Sequence, residues 1–262
     1  AVRPKSRTEQ KRLKKHDSYG HKKLRCEEYL SRKSREKGFG WTAFRLCDVI
    51  GPYDNTDRFW STYLWFKYAH HIPLLSDPEL SQPISLTSST DAVLAVLCGI
   101  RAATEEKKDQ KQMDISCGNS GSDSGSSLNN SDSGAVFNIA MPETPTLFEF
   151  LELIAGNSER NSRNNVDSSE RWRLGVVEKV SDSELNDGVD YPYFPSVSCG
   201  PVSSEAARLK LGWVPAWSMK EAIRRACKFC EEAESMYPNE LRDAIENLPK
   251  GIRKIVKRRV KL

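Results

Sequence analysis

The sequence predicts an α/β fold with a largely parallel sheet, and three observations predict it. Short runs rich in β-branched and aromatic residues alternate with helix-length segments along most of the chain. The helical segments carry polar capping residues at their starts and glycine at several of their ends. One apolar run, "WTAFRLCDVI", stops abruptly at Gly51-Pro52. In parallel sheets ligands gather where strands end, so "DVIGPYDN" lies near a predicted site.

Taken in order, "SYGHKKLRCEEYLSRKSREKG" reads as a helix capped by Asp17 or Ser18 and ended by Gly38. "WTAFRLCDVI" follows as a strand, and the aromatic-rich "RFWSTYLWFKYAHH" as a helix. "PISLTSST" is a strand and turn, and "DAVLAVLCGIRAA" a helix capped near Thr90 or Asp91. Residues 104–134 change character. "SCGNSGSDSGSSLNNSDSG" has little to bury and reads as a flexible insertion. "AVFNIAM" is a short strand and "TLFEFLELIAG" a helix with Thr146 as its cap. "NSERNSRNNVDSSE" is a second polar loop and "RLGVVEKV" a strand. "SSEAARLKLGWVP" gives a helix, then glycine and Trp-x-Pro; "SMKEAIRRACKFCEEAESMY" gives a long helix starting near Ser218.

Composition bounds the function. The 262 residues are 38% hydrophobic and 29% charged. No apolar run reaches the roughly 18 residues that a membrane span needs, so no membrane partner is expected and a cytoplasmic location is. Seven cysteines are scattered, and an odd number argues against a closed disulfide set. Cys227 and Cys230 form a CxxC, but they sit in a helical pattern without a second metal-spaced pair, so they read as ordinary helix residues and no metal site is expected. The net charge of +4 is unevenly placed: residues 1–38 hold 14 Lys/Arg against 5 Asp/Glu, and residues 250–262 hold 7 Lys/Arg and no acid. Basic ends can engage a polyanion, though more often they are solvated.

Tyr19 and Lys23 share one helix face, four residues apart. An ammonium near a phenol favours the phenolate and moves the phenol toward operating pH, where it can exchange a proton with a substrate hydroxyl. The lysine can also hydrogen-bond a nucleotide ribose. Tyr29/Lys33 and Tyr63/Lys67 repeat the spacing, so Tyr-x-x-x-Lys says little without its context.

That context is "YGHKKLRCEEYL", then a helix, a turn, and "FRLCDVIGPYDNTDR" with Gly51 32 residues past Tyr19. In this arrangement the sequence resembles the extended short-chain dehydrogenase/reductases, the NAD-dependent epimerase/dehydratase family. Their motif looks like Tyr-Gly-x-x-Lys-x-x-x-Glu followed at this distance by a strand ending in Arg-x-x-Asn-Val-x-Gly-Pro. Tyr29 sits too close to Gly51 for this pattern, and Tyr63 lies beyond it. "QPISLTSSTDAVLAVLCGI" resembles the family's next strand, Asp (Asp91) and helix. "AVFNIAMPETPTLFEFLELIAG" and "PVSSEAARLKLGWVPAWSMKEAI" resemble its later segments. Residues 104–134, residues 156–170 and the chain after about 236 fall outside the resemblance.

The resemblance implies a Rossmann-like parallel sheet that holds NAD or NADP and a smaller α/β domain that holds substrate, usually a nucleotide sugar. It implies Tyr19 as general acid/base and Lys23 as the residue that binds the cofactor ribose and tunes Tyr19. Cys47 and Ile50 would line the strand end near the nicotinamide. Asp48 stands where the family often has a substrate-contacting Asn, and Arg58 would meet a substrate phosphate. His16 is near in sequence but reads as a surface residue. The helix beginning at Ser18 packs between subunits in many relatives, which leaves a homodimer open.

Two of the family's parts are missing. No Gly precedes Gly20, so the glycine-rich turn that approaches a pyrophosphate has no counterpart. The upstream catalytic Ser or Thr has Ser6, Thr8 and Ser18 as candidates, in a hydrophilic basic run that does not read as a strand. The expectation is therefore the C-terminal part of a longer enzyme, weakly stable and a poor binder of NAD by itself. On this reading residues 1–50 are what remains of a dinucleotide-binding domain and 51–84 a substrate-domain segment. Residues 85–103 return to the core, 104–134 are the insertion, 135–235 hold the last core strand and substrate domain, and 236–262 are a basic tail. The alternatives are an RNA-binding protein, as some chloroplast relatives are, or a non-catalytic protein on the same scaffold.

Overall fold

The structure, a computed structural model, describes residues 14–15, 17–54, 56, 58–75, 81–116, 134–156, 174–180, 194 and 200–260, with residues 75 and 106–116 by backbone alone. Ser6, Thr8, His16 and residues 117–133 and 157–173 lie outside the described residues. The elements are α1 (Ser18–Lys37), β1 (Trp41–Leu46), β2 (Asp48–Ile50), α2 (Arg58–Ala69), β3 (His71–Leu75), β4 (Leu86–Ser88), α3 (Ser89–Ser116), β5 (Gly134–Ile139), α4 (Leu147–Ile154), β6 (Val176–Val180), α5 (Glu205–Leu211), α6 (Met219–Met236), α7 (Pro238–Glu246) and α8 (Lys250–Val260).

The architecture is α/β with parallel strand pairing. β2 runs parallel to β4, with Asp48 opposite Leu86 and Ile50 opposite Ser88. β3 runs parallel to β6, from His71 opposite Val176 to Leu75 opposite Val180. β1 pairs with β5. The run read as one strand is thus broken at Cys47, and its two parts pair with different partners. The chain divides into two compact units, one of Ala1–Arg45 and Gly99–Phe137, the other of Leu46–Cys98 and Asn138–Leu262.

In the first unit α1 is a polar helix with a narrow buried stripe of Leu24, Glu27, Ser31 and Ser34, spaced at helical intervals. Asp17 is its N-cap, accepting the Gly20 N–H at 2.7 Å. Gly38 closes it in the left-handed conformation at φ 69°, as the sequence predicts. Glu27, buried, accepts from Arg45 of β1 through Nε (2.7 Å) and Nη2 (2.6 Å). This two-pronged pair fixes the helix to the strand, because a buried carboxylate is tolerated only when charge and hydrogen bonds are both met.

The second unit is built around α2. Phe59, Trp60, Thr62, Tyr63, Leu64, Trp65 and Phe66 are all buried, so the helix is covered on every side, which a helix apolar all round requires. Each large side chain removed from water contributes roughly 1.5–3 kcal/mol. α6 supplies a matching stripe at i, i+3, i+4 and i+7 from Met219 to Ala233. Cys227 and Cys230 lie within it, and burial pushes both thiols well above their ordinary range. They serve as apolar filler, as the sequence predicts. α4 begins with a reciprocal capping box between Thr146 and Glu149, and α6 with Ser218 accepting from Glu221 N–H.

Three stretches differ from the sequence expectation. α2 ends at Ala69, because His70 takes a left-handed turn at φ 61° and the chain enters β3, a strand that "HIPLL" did not announce. α3 continues to Ser116, well into the segment read as an insertion. Residues 238–260, read as a basic tail, form α7 and α8, which bury Leu241, Ala244, Ile245 and Val256 in the same core as α2. The sequence expectation rested on charge, and charge hid a 3.6-residue apolar period beneath it.

Candidate active site

The candidate residues fall into two groups, one in each unit. In the first unit, Tyr19 is the second residue of α1, and the packing of its neighbour explains why glycine follows it. A Cβ at Gly20 would come within 2.0 Å of an Asp17 carboxylate oxygen, so any other residue there would dislodge the N-cap. Tyr19 itself is 71% exposed. Lys23, one turn on, sets its Nζ 5.2 Å from the Tyr19 ring centroid, over the ring face. The contact is a cation–π contact.

The other two tyrosine–lysine pairs have nearly the same geometry. Lys33 Nζ lies 5.9 Å from the Tyr29 ring and Lys67 Nζ 5.6 Å from the Tyr63 ring. Their surroundings separate them. Lys33 pairs with Glu36 at 2.5 Å and Lys67 with Glu234 at 2.7 Å. Tyr63 is 2% exposed, and burial, with the Glu234 charge second, pushes its phenol far above the usual range. Lys23 has no carboxylate partner among the described residues.

In the second unit, Asp48, at the start of β2, is buried with its side chain 5% exposed. Arg58 Nη1, from the first turn of α2, approaches Asp48 Oδ1 at 3.4 Å. The two residues expected to meet substrate are therefore brought together, each offsetting the other's charge. The Arg58 side chain is 37% exposed. Cys47 donates from Sγ to the Ile139 carbonyl at 3.4 Å. Burial first, and the Asp48 charge second, push its thiol up to about 12, so it stays protonated at neutral pH. Ile50 is completely buried in the hydrophobic core. It backs the strand end from inside rather than presenting a free surface.

The turn after β2 is tight. Gly51 has φ 130°, and a Cβ there would meet Ser89 Oγ at 2.7 Å, so the strand end sits directly on the start of α3. Tyr53 also has positive φ, 63°, and is 78% exposed. Such a conformation costs roughly 1–3 kcal/mol in a residue with a Cβ. Its ring packs 4.9 Å from Phe229, and its hydroxyl is hydrogen-bonded to that of Tyr237, which raises the Tyr237 phenol. Nothing in the sequence pattern singled out Tyr53; the left-handed turn that places it becomes visible only in three dimensions.

Asp91 has a physical role of its own. It is completely buried and carries no cationic partner in an ion pair among the described residues. Its carboxylate instead accepts the Ser88 hydroxyl at 2.7 Å and the Ala216 N–H at 2.6 Å, while its carbonyl accepts Trp213 Nε1–H at 3.1 Å. It ties the β4–α3 turn to the "GWVPAW" loop, a positioning role rather than a substrate contact.

No protein-family model and no curated protein matches the sequence. Solved structures do resemble it. The UDP-glucose 4-epimerase of Thermotoga maritima, solved with UDP-glucose, aligns at 17% identity over 82% of this chain and 54% of that one, with a TM-score of 0.46. The UDP-N-acetylglucosamine 4-epimerase of Bacillus cereus aligns at 14% identity over 81% and 54%, with a TM-score of 0.48. RMD from Pseudomonas aeruginosa, solved with NADPH, aligns at 13% identity over 79% and 54%, with a TM-score of 0.46. The chain spans about half the length of these proteins. Among the described residues no group of His, Cys, Asp or Glu could hold a metal ion, and no helix is long and apolar enough to cross a membrane.

Proposed function

We propose that this chain carries the acid–base part of an NAD(P)-dependent oxidoreductase of the epimerase/dehydratase type, acting on a nucleotide sugar or related alcohol. The observation that supports it most is the state of Lys23. Of the three Tyr-x-x-x-Lys pairs, the one whose sequence context fits the family is also the one that joins the most exposed phenol, 71% against 52% for Tyr29 and 2% for Tyr63, to an ammonium without a carboxylate partner among the described residues. An ammonium without a carboxylate partner keeps its donors for a ligand.

In this reading Tyr19 takes the proton from a substrate hydroxyl as the carbon is oxidised, and returns it in the reverse direction. NAD or NADP, when bound, accepts and returns the hydride. Lys23 donates to ribose hydroxyls; its exposure and its lack of an ion pair among the described residues fit that use. Arg58 turns its solvent-facing nitrogens to a substrate phosphate, held in orientation by Asp48. A carboxylate accepts but cannot donate, so Asp48 does not replace an amide toward substrate. Cys47 gives the strand end an uncharged side chain, and Ile50 backs it from inside the core. The division into residues 1–50 and 85–103 for the cofactor side and 51–84 and 135–235 for the substrate side belongs to the same proposal, as does pairing of two copies through α1.

Two measurements test it. In the full-length protein, Tyr19→Phe lowers turnover by about 10²–10⁴-fold, the usual range for loss of a positioned proton donor, with the fold retained by circular dichroism. Turnover within twofold of the parent would overturn the assignment. The 262-residue chain by itself should give no micromolar binding of NAD(H) by calorimetry, since the glycine-rich turn has no counterpart in it.

A further inference from the structure

The charges on α8 are sorted by face. Ile252, Val256 and Val260 pack into or against the core. The cations that flank this apolar stripe have partners: Arg253 pairs with Glu246 at 3.0 Å, Lys257 pairs with the same carboxylate, and Arg259 donates to His70 Nε2 at 3.2 Å. The opposite face carries Lys250, Lys254 and Arg258, all exposed, and α8 holds no acidic residue. These three have no ion-pair partner among the described residues. They follow one another at i, i+4 and i+8, so they form a row about 6 Å apart along the helix axis.

We infer that this row is a docking strip for the phosphate backbone of single-stranded nucleic acid. Three observations on the helix point to that occupant. First, three exposed cations held in line on one helix form a local positive strip, and a chain of phosphates supplies one anion per cation. Second, the cations that flank the core stripe have partners within the unit, the shared Glu246 carboxylate for Arg253 and Lys257 and the His70 ring nitrogen for Arg259, whereas the outward row has no such partner among the described residues and offers its donors to a ligand. Third, most apolar residues of α8 are turned toward the protein: Val256 is fully buried, Ile252 and Val260 are half-buried against the core, and Ile255 is exposed at 38%. A helix that binds a lipid surface keeps its apolar face for the bilayer. α8 has spent that face on the core, which favours a partner held by charge. Recognition of this kind reads backbone and not sequence. It stands independently of the proposed oxidoreductase activity, since none of its residues belongs to the candidate site.

The test is salt-dependent binding of a fluorescein-labelled 12-nucleotide oligouridylate to the chain, followed by anisotropy. Each phosphate contact on a single strand adds about 0.7 to the slope of log affinity against log salt, so Lys250→Gln/Lys254→Gln/Arg258→Gln lowers the slope by about 2. Between 50 and 200 mM salt the parent should then lose roughly 16-fold more affinity than the variant does. A control removing three exposed lysines elsewhere in the same unit, Lys210→Gln/Lys220→Gln/Lys228→Gln, should keep most of the slope. Equal slopes in the two triple variants overturn the strip, since net charge alone then accounts for binding. Unchanged slope in the α8 variant overturns it as well. Binding to phosphatidylserine vesicles that is lost in the α8 variant, without oligonucleotide binding, assigns the row to a membrane surface and overturns the nucleic-acid partner. Lys254→Gln alone, expected to remove about 0.7 of slope, serves if the triple variant does not fold.

Discussion

Tyr19/Lys23 and Tyr63/Lys67 have the same spacing, the same helix-surface relation and ammonium-to-ring distances of 5.2 and 5.6 Å. They do opposite things. Tyr63 is sealed in the α2 core, and its lysine is committed to Glu234, which also accepts the Tyr68 hydroxyl at 2.7 Å. Tyr19 stands in solvent beside a lysine with no carboxylate partner among the described residues. A short motif therefore acquires a chemical meaning only from what surrounds it: one pair is a packing unit, the other is available for chemistry.

The comparison can be broken most sharply through stability. Tyr63→Ala should cost about 3–5 kcal/mol in urea unfolding, the range for emptying a packed aromatic site. Tyr19→Ala should change stability by no more than about 0.5 kcal/mol. Equal losses would mean that the two pairs do the same work. A step smaller, Lys67→Met leaves Glu234, 15% exposed, without its cation, and should cost about 1–3 kcal/mol. Lys23→Met should leave the unfolding midpoint in place, as expected for an exposed ammonium without a carboxylate partner among the described residues. The smallest effect is on pH dependence. Burial keeps the folded Tyr63 phenol protonated above the pH at which the unfolded chain releases that proton, about 10. The unfolded state then binds fewer protons, so stability falls as pH rises past about 10. In Tyr63→Phe that fall should be shallower when urea midpoints at pH 9 and 10.5 are compared. A parallel fall in both proteins would remove Tyr63 as its source.

Much of the fold is legible in the residues because local signals agree with the tertiary solution. Asp17, Gly38, Thr146 and Ser218 cap or end their helices as their side chains and φ preferences dictate. The alternation of elements gives the α/β class. What escaped the sequence was decided by long-range partners. The break at Cys47 depends on β1 and β2 having different neighbours, β5 and β4, both distant in sequence. β3 exists because β6 supplies a register for "HIPLL". α7 and α8 were hidden because their cations dominate composition while a few well-spaced apolar residues do the packing. At the candidate site, the residue types were visible but their pairing was not: the family resemblance pointed to Asp48 and Arg58 separately, and the structure joins them at 3.4 Å. Asp91 was legible as a position, and its hydrogen-bonding to the "GWVPAW" loop was not.

The distribution of indoles has a practical consequence. Trp60 and Trp65 are sealed inside the α2 cluster, whereas α1 contains no tryptophan. Emission from those two rings follows the opening of the second unit and is blind to the helix that carries Tyr19. Trp41, at the start of β1 with its indole nitrogen buried, is the ring that senses the first unit, so a preparation in which that unit alone has opened changes one indole signal among several. Assays that count active molecules by total intrinsic fluorescence would overcount them.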